Sequence, residues 1–281
     1  VRLKLPFLLA PIAAVALHAQ QSAEFRAWNQ PIEPFRIAGE LYYVGVSNVT
    51  SLLIATPEGH ILIDGGFAET APYILANIRK LGFRTEDVRA ILSTHAHADH
   101  AGGLAELKRV THAKLYAGAR DAGLLERGGA GDFAFGDGMM FPPVTADVLV
   151  KDGDEVKVGN MAVRAVETPG HTKGCISWVF SIQDPKAGRA WRTVVIGGLT
   201  APGYALVKNE QYPGIARDFE TSFRKLRALE CDIFIEGHGF AFGLKQKAAG
   251  ERSFVDPEGY RARIDDCERT FRALLAAQGG G

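Results

Sequence analysis

The sequence predicts a mixed α/β fold of two similar halves. Three observations predict it: strand-like apolar runs fall into two groups, helical segments separate them, and three strand ends turn into histidine-bearing bends. In the first half, residues 41–46, 51–56 and 60–64 are short apolar runs that read as strands, and 71–81 carries its apolar residues at helical spacing. Residues 88–92 read as a buried strand, followed by helices over 104–110 and 120–127. An irregular glycine-rich stretch, 128–143, then brings Phe133, Phe135, Met139, Met140 and Phe141; two readings stay open, a flap over a site or core filling beneath a long loop. The second half begins near Ala146 with strands to Val150, over 155–158, the alternating 161–166, 176–181 and 194–197. A helix over 215–228, a strand over 232–235 and a helix over 258–277 close it, and the glycine tail 279–281 is expected to fray. Each half contributes histidine bends, so a site is expected where the halves meet.

Composition limits what the chain does. Hydrophobic content of 47% and charged content of 23% are ordinary for a globular protein, and a length of 281 residues suits one domain over 20–281. Basic and acidic residues balance at 32 each, so no excess positive field invites nucleic acid as a partner. Residues 1–19 read as a secretory leader: Arg2 and Lys4 give a positive start, 5–17 an apolar stretch too short to span a membrane, and Ala16 or Ala19 a small residue for cleavage. Export to a periplasm follows, with no membrane attachment once the leader is removed, and a monomer is expected.

The strongest chemical signal is His95-Ala96-His97-Ala98-Asp99-His100, directly after the 88–92 strand. On extended backbone residues two apart share a face, so His95 and His97 converge while Asp99 and His100 turn elsewhere, giving two neighbouring metal positions. Imidazole and carboxylate suit zinc, and the absence of cysteine thiolates from the motif favours a catalytic site with a place left for water. His171, in Thr168-Pro169-Gly170-His171-Thr172, and His238, in Glu236-Gly237-His238-Gly239, stand just beyond strands in the same way. His18, His60 and His112 lack this context. Asp64, ending the 60–64 strand before Gly65-Gly66, is either a partner that steadies the histidine turn from behind or a turn residue. No G-x-S-x-G or Walker loop is present, so hydrolase-elbow and nucleotide-binding readings lack a motif.

The H-x-H-x-D-H turn, Gly170-His171-Thr172 and the strand-end His238 resemble the metallo-β-lactamase superfamily. Residues 28–37, Ile63-Asp64-Gly65-Gly66, Arg127-Gly128-Gly129, Phe135-Gly136-Asp137-Gly138 and Leu199-Thr200-Ala201-Pro202-Gly203-Tyr204 narrow the likeness to the third subclass of class B metallo-β-lactamases. The resemblance implies a four-layer αββα sandwich with a dinuclear zinc site at the shared edge of its halves. It implies two Zn2+ ions, one on His95, His97 and His171 and the other on Asp99, His100 and His238. It also implies hydrolysis of the β-lactam amide of penicillins, cephalosporins and carbapenems by zinc-activated water, with Asp99 orienting the attacking hydroxide and Thr200 taking the substrate carboxylate. Segments containing Cys231 and Cys267 match a pair bridged in that subclass, which implies a disulfide, while Cys175 reads as a small packing residue.

Two departures bear on the substrate. Glyoxalase-type and lactonase-type members carry an aspartate that bridges the metals at the end of the strand after the third histidine, but here Thr193-Val194-Val195-Ile196-Gly197 runs into Gly198-Leu199-Thr200. Gly198 also stands where the resembled subclass usually has serine. A hydrolase of lactones or thioesters and a non-catalytic zinc protein are the alternatives.

Overall fold

The computed structural model describes residues 23–279, so the leader expected over 1–19 lies outside the described residues. Seven strands form one sheet in sequence order: β1 (Phe35–Ala38), β2 (Leu41–Tyr43), β3 (Leu52–Thr56), β4 (Gly59–Ile63), β5 (Val88–Leu92), β6 (Lys114–Gly118) and β7 (Val148–Val150). A second sheet has the order β12-β11-β10-β9-β8, from β8 (Glu155–Val158), β9 (Met161–Glu167), β10 (Ile176–Asp184), β11 (Arg189–Ile196) and β12 (Ile233–Glu236).

Side-chain alternation explains the layering. Leu52, Ile54, Ile61, Ile63, Ala90 and Leu92 join the large core shared with the second sheet, whereas the intervening Leu53, Leu62 and Ile91 face the helices Ala71–Lys80 and Leu104–Thr111. On the far side, the helices Ile215–Arg227 and Pro257–Ala277 pack together and supply Phe219, Phe223, Ile264 and Phe271 to the same core. The result is helices, sheet, sheet, helices: the αββα sandwich that the resemblance implied.

Strand direction places the site. β4 and β5 are parallel, β11 and β12 are parallel, and β9 runs the same way as β11 because both are antiparallel to β10. The loops after these strands therefore emerge along one edge, carrying Asp64, His95 to His100, His171, Gly198 to Thr200 and His238. Backbone bonds stitch the sheets together there, Ile176 N–H to the Thr94 carbonyl at 2.8 Å and Thr50 N–H to the Gly237 carbonyl at 2.9 Å.

Three expectations need correction. β1 and β6 are strands the sequence pattern did not single out, one a four-residue edge strand and the other a short run broken by Lys114 and Gly118. β10 and β11 extend to Asp184 and Arg189 as a hairpin, beyond the expected 176–181 and 194–197. The implied disulfide is not formed: Cys231 and Cys267 are separate buried thiols, as is Cys175. Among the described residues no helix is long and apolar enough to cross a membrane.

Candidate metal centre

The histidine turn leaves β5 through a bent segment, residues 93–97, and continues as the one-turn helix Ala98–Ala101, with His97 at the cap in β conformation. This split aims His95 and His97 one way and Asp99 and His100 the other. The structure assembles two groups, His95 with His97 and His171, and Asp99 with His100 and His238, and within each group the candidate ligand atoms lie within 4.8 Å of one another.

In the first group, what each ring nitrogen faces decides where hydrogens sit. His171 Nδ1 lies 2.7 Å from the Thr200 carbonyl, which only accepts, so Nδ1 carries the hydrogen. Burial and the neighbouring His97 push the His171 pKa down to about 3, so the ring is neutral and Nε2 is bare. Thr94 donates its hydroxyl hydrogen to Asp64 Oδ2 at 2.6 Å and so accepts from His95 Nδ1 at 3.0 Å, which leaves His95 Nε2 bare. That nitrogen is buried and has no partner, and burial followed by the surrounding imidazoles holds His95 well below the usual histidine range. His97 Nδ1 faces His171 Nε2 at 3.1 Å.

The second group is built on charge. Asp99 Oδ2 lies 3.3 Å from His238 Nε2 and 3.5 Å from His100 Nε2. Burial alone would raise the Asp99 pKa, but His100 and His238 outweigh it and hold the carboxyl far below its ordinary range. Burial likewise opposes protonation of His100, yet the carboxylates of Asp99 and Asp64 raise its pKa. His238 is held by packing, stacked on Phe240 at 5.3 Å and against Trp28 at 4.9 Å, with the Asn48 amide 3.4 Å from its Nδ1.

A pair of zinc ions fits this donor set. Tetrahedral zinc with bonds of about 2.0–2.1 Å separates its ligands by about 3.3 Å, close to the 3.1 Å between His97 and His171, the 3.5 Å between Asp99 and His100 and the 3.3 Å between Asp99 and His238. Neutral nitrogens and one carboxylate without thiolate are the borderline-hard set that zinc accepts.

Behind the ligands, Asp64 adopts the left-handed conformation, φ 60°, rare for a residue with a Cβ. The bend aims its carboxylate at Thr94 N–H (2.7 Å), the Thr94 hydroxyl and His100 Nδ1 (3.3 Å). Sequence reasoning missed Asp121, which is 2% exposed and accepts from Ala96 N–H at 3.0 Å, Thr172 Oγ1 at 2.6 Å and Gly174 N–H at 2.6 Å, tying the His97 turn to the His171 turn. Its position shortly after the end of β6 on the same edge was the available signal, lost because β6 was not recognised. Thr200 is exposed at the mouth, and its carbonyl rather than its side chain touches a ligand. Glycines at 198 and 237 back two rings: a Cβ on Gly198 would stand 2.5 Å from His171 Cδ2, and one on Gly237 would press on His100 Cε1. In the 128–143 stretch Phe141 is buried in the core, while Phe135 sits 5.2 Å from the His97 ring.

Residues 44–184, half of the chain, match the family model described as the metallo-beta-lactamase superfamily. The chain belongs to that superfamily. Its fold is that of the native FEZ-1 metallo-beta-lactamase from Legionella gormanii, 38% identical with a TM-score of 0.86 over 90% of this chain and 99% of that one. It is also similar to the class B3 di-zinc metallo-beta-lactamase LRA-12 from an Alaskan soil metagenome, 35% identical with a TM-score of 0.81 over 88% of this chain and 96% of that one. Among curated relatives, a hydroxyacylglutathione hydrolase of Rhodopseudomonas palustris is 39% identical over 119 residues, 42% of this chain. The chain spans only 37% of that relative's length. These findings establish the superfamily and its fold.

Proposed function

We propose that the protein is a β-lactamase that uses two zinc ions. The observation that carries the reading over a thioester or lactone hydrolase is Gly198. Where those relatives place a bridging aspartate, the end of β11 runs Ile196-Gly197-Gly198 and offers no carboxylate between the two groups, and even a Cβ at Gly198 would meet His171 at 2.5–3.0 Å. Near-complete overlap with lactamases, against partial overlap with a hydroxyacylglutathione hydrolase, supports the same choice.

Zinc held by His95, His97 and His171 and by Asp99, His100 and His238 supplies a Lewis acid for the lactam carbonyl and lowers the pKa of water towards about 7, so no serine nucleophile is needed. The residues do the rest. His95 and His171 present bare Nε2 atoms because Thr94 and the Thr200 carbonyl hold their Nδ1 hydrogens, so no ring has to change tautomer when an ion arrives. Asp99 stays ionised between two imidazoles, and its carboxylate is the acceptor that orients the attacking water at the shared edge. Phe135 on one side and Trp28 with Phe240 on the other give the mouth apolar walls. The exposed Thr200 side chain takes the substrate carboxylate without help from Gly198, which offers no hydroxyl. On the pattern of 1–19, we place the protein in a periplasm.

The test incubates the purified protein with a penicillin, a cephalosporin, a carbapenem, a lactone and a glutathione thioester, with and without chelator. Chelator-sensitive opening of β-lactams and little thioester hydrolysis is expected. Faster thioester than β-lactam turnover would overturn the assignment.

A further inference from the structure

His97 differs from the other histidines of its group. His95 and His171 offer Nε2 inward, whereas His97 offers Nδ1, which faces His171 Nε2 at 3.1 Å. For both of those nitrogens to face a cation, His97 must carry its hydrogen on Nε2. That Nε2 is buried and lacks a hydrogen-bond partner, and the atom facing it at 3.7 Å is Asp132 Oδ2, itself buried and without a hydrogen-bond partner. Asp132 is pinned where it stands. Its Oδ1 accepts from Ala134 N–H and Phe135 N–H, both at 2.8 Å, and its backbone pairs with Gly136 in an antiparallel bridge. Two orphaned polar atoms, both buried, aimed at each other and slightly beyond bonding distance, are costly unless they close into a bond.

We propose that Asp132 is a positioning residue: it fixes the hydrogen of His97 on Nε2, frees Nδ1 for the metal, and so fastens the glycine-rich 128–143 stretch to the first metal position. The inference rests on the two-metal reading of the site. The Phe135 ring, next to His97, is then set by the same bond that sets the ligand, so ion occupancy and the wall of the mouth move together.

Asp132→Asn separates this role from simple packing. The amide oxygen can keep the two backbone bonds, but its NH2 then points a donor at the Nε2–H donor, which favours the other His97 tautomer and withdraws Nδ1. The experiment is long-range proton–nitrogen NMR of the imidazoles in zinc-loaded protein, with zinc affinity by competition against a chromophoric chelator and amide exchange over 132–136. In the unaltered protein one metal-bound ring, His97, is expected to carry Nε2–H while His95 and His171 carry Nδ1–H. In Asp132→Asn that signature is lost, affinity for one of the two ions falls roughly 10–100-fold, and exchange over 132–136 quickens. Asp132→Glu, which keeps an acceptor, recovers part of the affinity. An Nδ1–H on His97 in the unaltered protein overturns the inference whether or not the variants fold, as does an Asp132→Asn protein with both affinities and the signature intact. A protein that binds two ions with the expected signature yet leaves β-lactams intact supports this inference and overturns only the function; one that takes up no zinc overturns both.

Discussion

The two metal positions lie side by side but are organised by different physics. In the first, His95 and His171 are held through their outer nitrogens by short bonds to the Thr94 hydroxyl and the Thr200 carbonyl, and the ligand set contains no carboxylate. In the second, a carboxylate draws two imidazoles together, and His238, its side chain 23% exposed, relies on Trp28 and Phe240 rather than on a strong outer bond. Directional hydrogen bonds preorganise a ligand, while packing and charge hold it more softly. The first position should therefore be the tighter and the less tolerant of displacement.

The largest effect should come from Gly198→Ala. Neither Gly198 nor Gly237 needs left-handed backbone, so the penalty is the collision of the new methyl with an imidazole. Displacing His171 by about an ångström should lower kcat/KM for a carbapenem roughly 100-fold, and excess zinc should restore little. Gly237→Ala displaces His100 instead, and most of its loss should return as zinc is raised, because the softer group is refilled by mass action. Steady-state rates across a zinc series compare the two, and equal rescue would erase the distinction.

A smaller effect should follow Asp64→Asn, which touches both positions. The variant leaves a buried donor facing Thr94 Oγ1 or His100 Nδ1, a cost of about 1–3 kcal/mol. Thermal unfolding in chelator should show the loss without metal, and zinc competition should show weaker binding at the second position. The smallest should be Phe240→Ala. Losing a stacked ring worth about 0.5–1.5 kcal/mol should weaken the second ion by a few-fold and leave the first unchanged in the same competition assay.

Much of this asymmetry was hidden in the sequence, although the six ligand candidates were not. A histidine turn with alanine spacers after an apolar strand, and glycine-flanked histidines after two more, mark strand ends by composition alone. Most strands and the long helices were legible for the same reason, being periodic and bounded. Asp121 and Asp132 were not: Asp121 falls at the start of a stretch read as a helix after a strand that was not recognised, and Asp132 lies in a glycine-rich loop, where an aspartate reads as a turn residue until the chain folds and reveals which donors converge on it. Gly198 was legible as a missing side chain, yet only the packing against His171 explains why none fits. The Cys231 and Cys267 bridge fails for a complementary reason: the segments that carry the likeness say where two thiols lie in the chain, and nothing about whether they bond.

The most direct test of the account is a zinc titration of metal-free protein by chelator competition, run beside His171→Ala and His238→Ala. The account predicts two equivalents of unequal affinity, with His171→Ala removing the tighter and His238→Ala the weaker. A single equivalent in the unaltered protein, or two equivalents surviving in either variant, would contradict it.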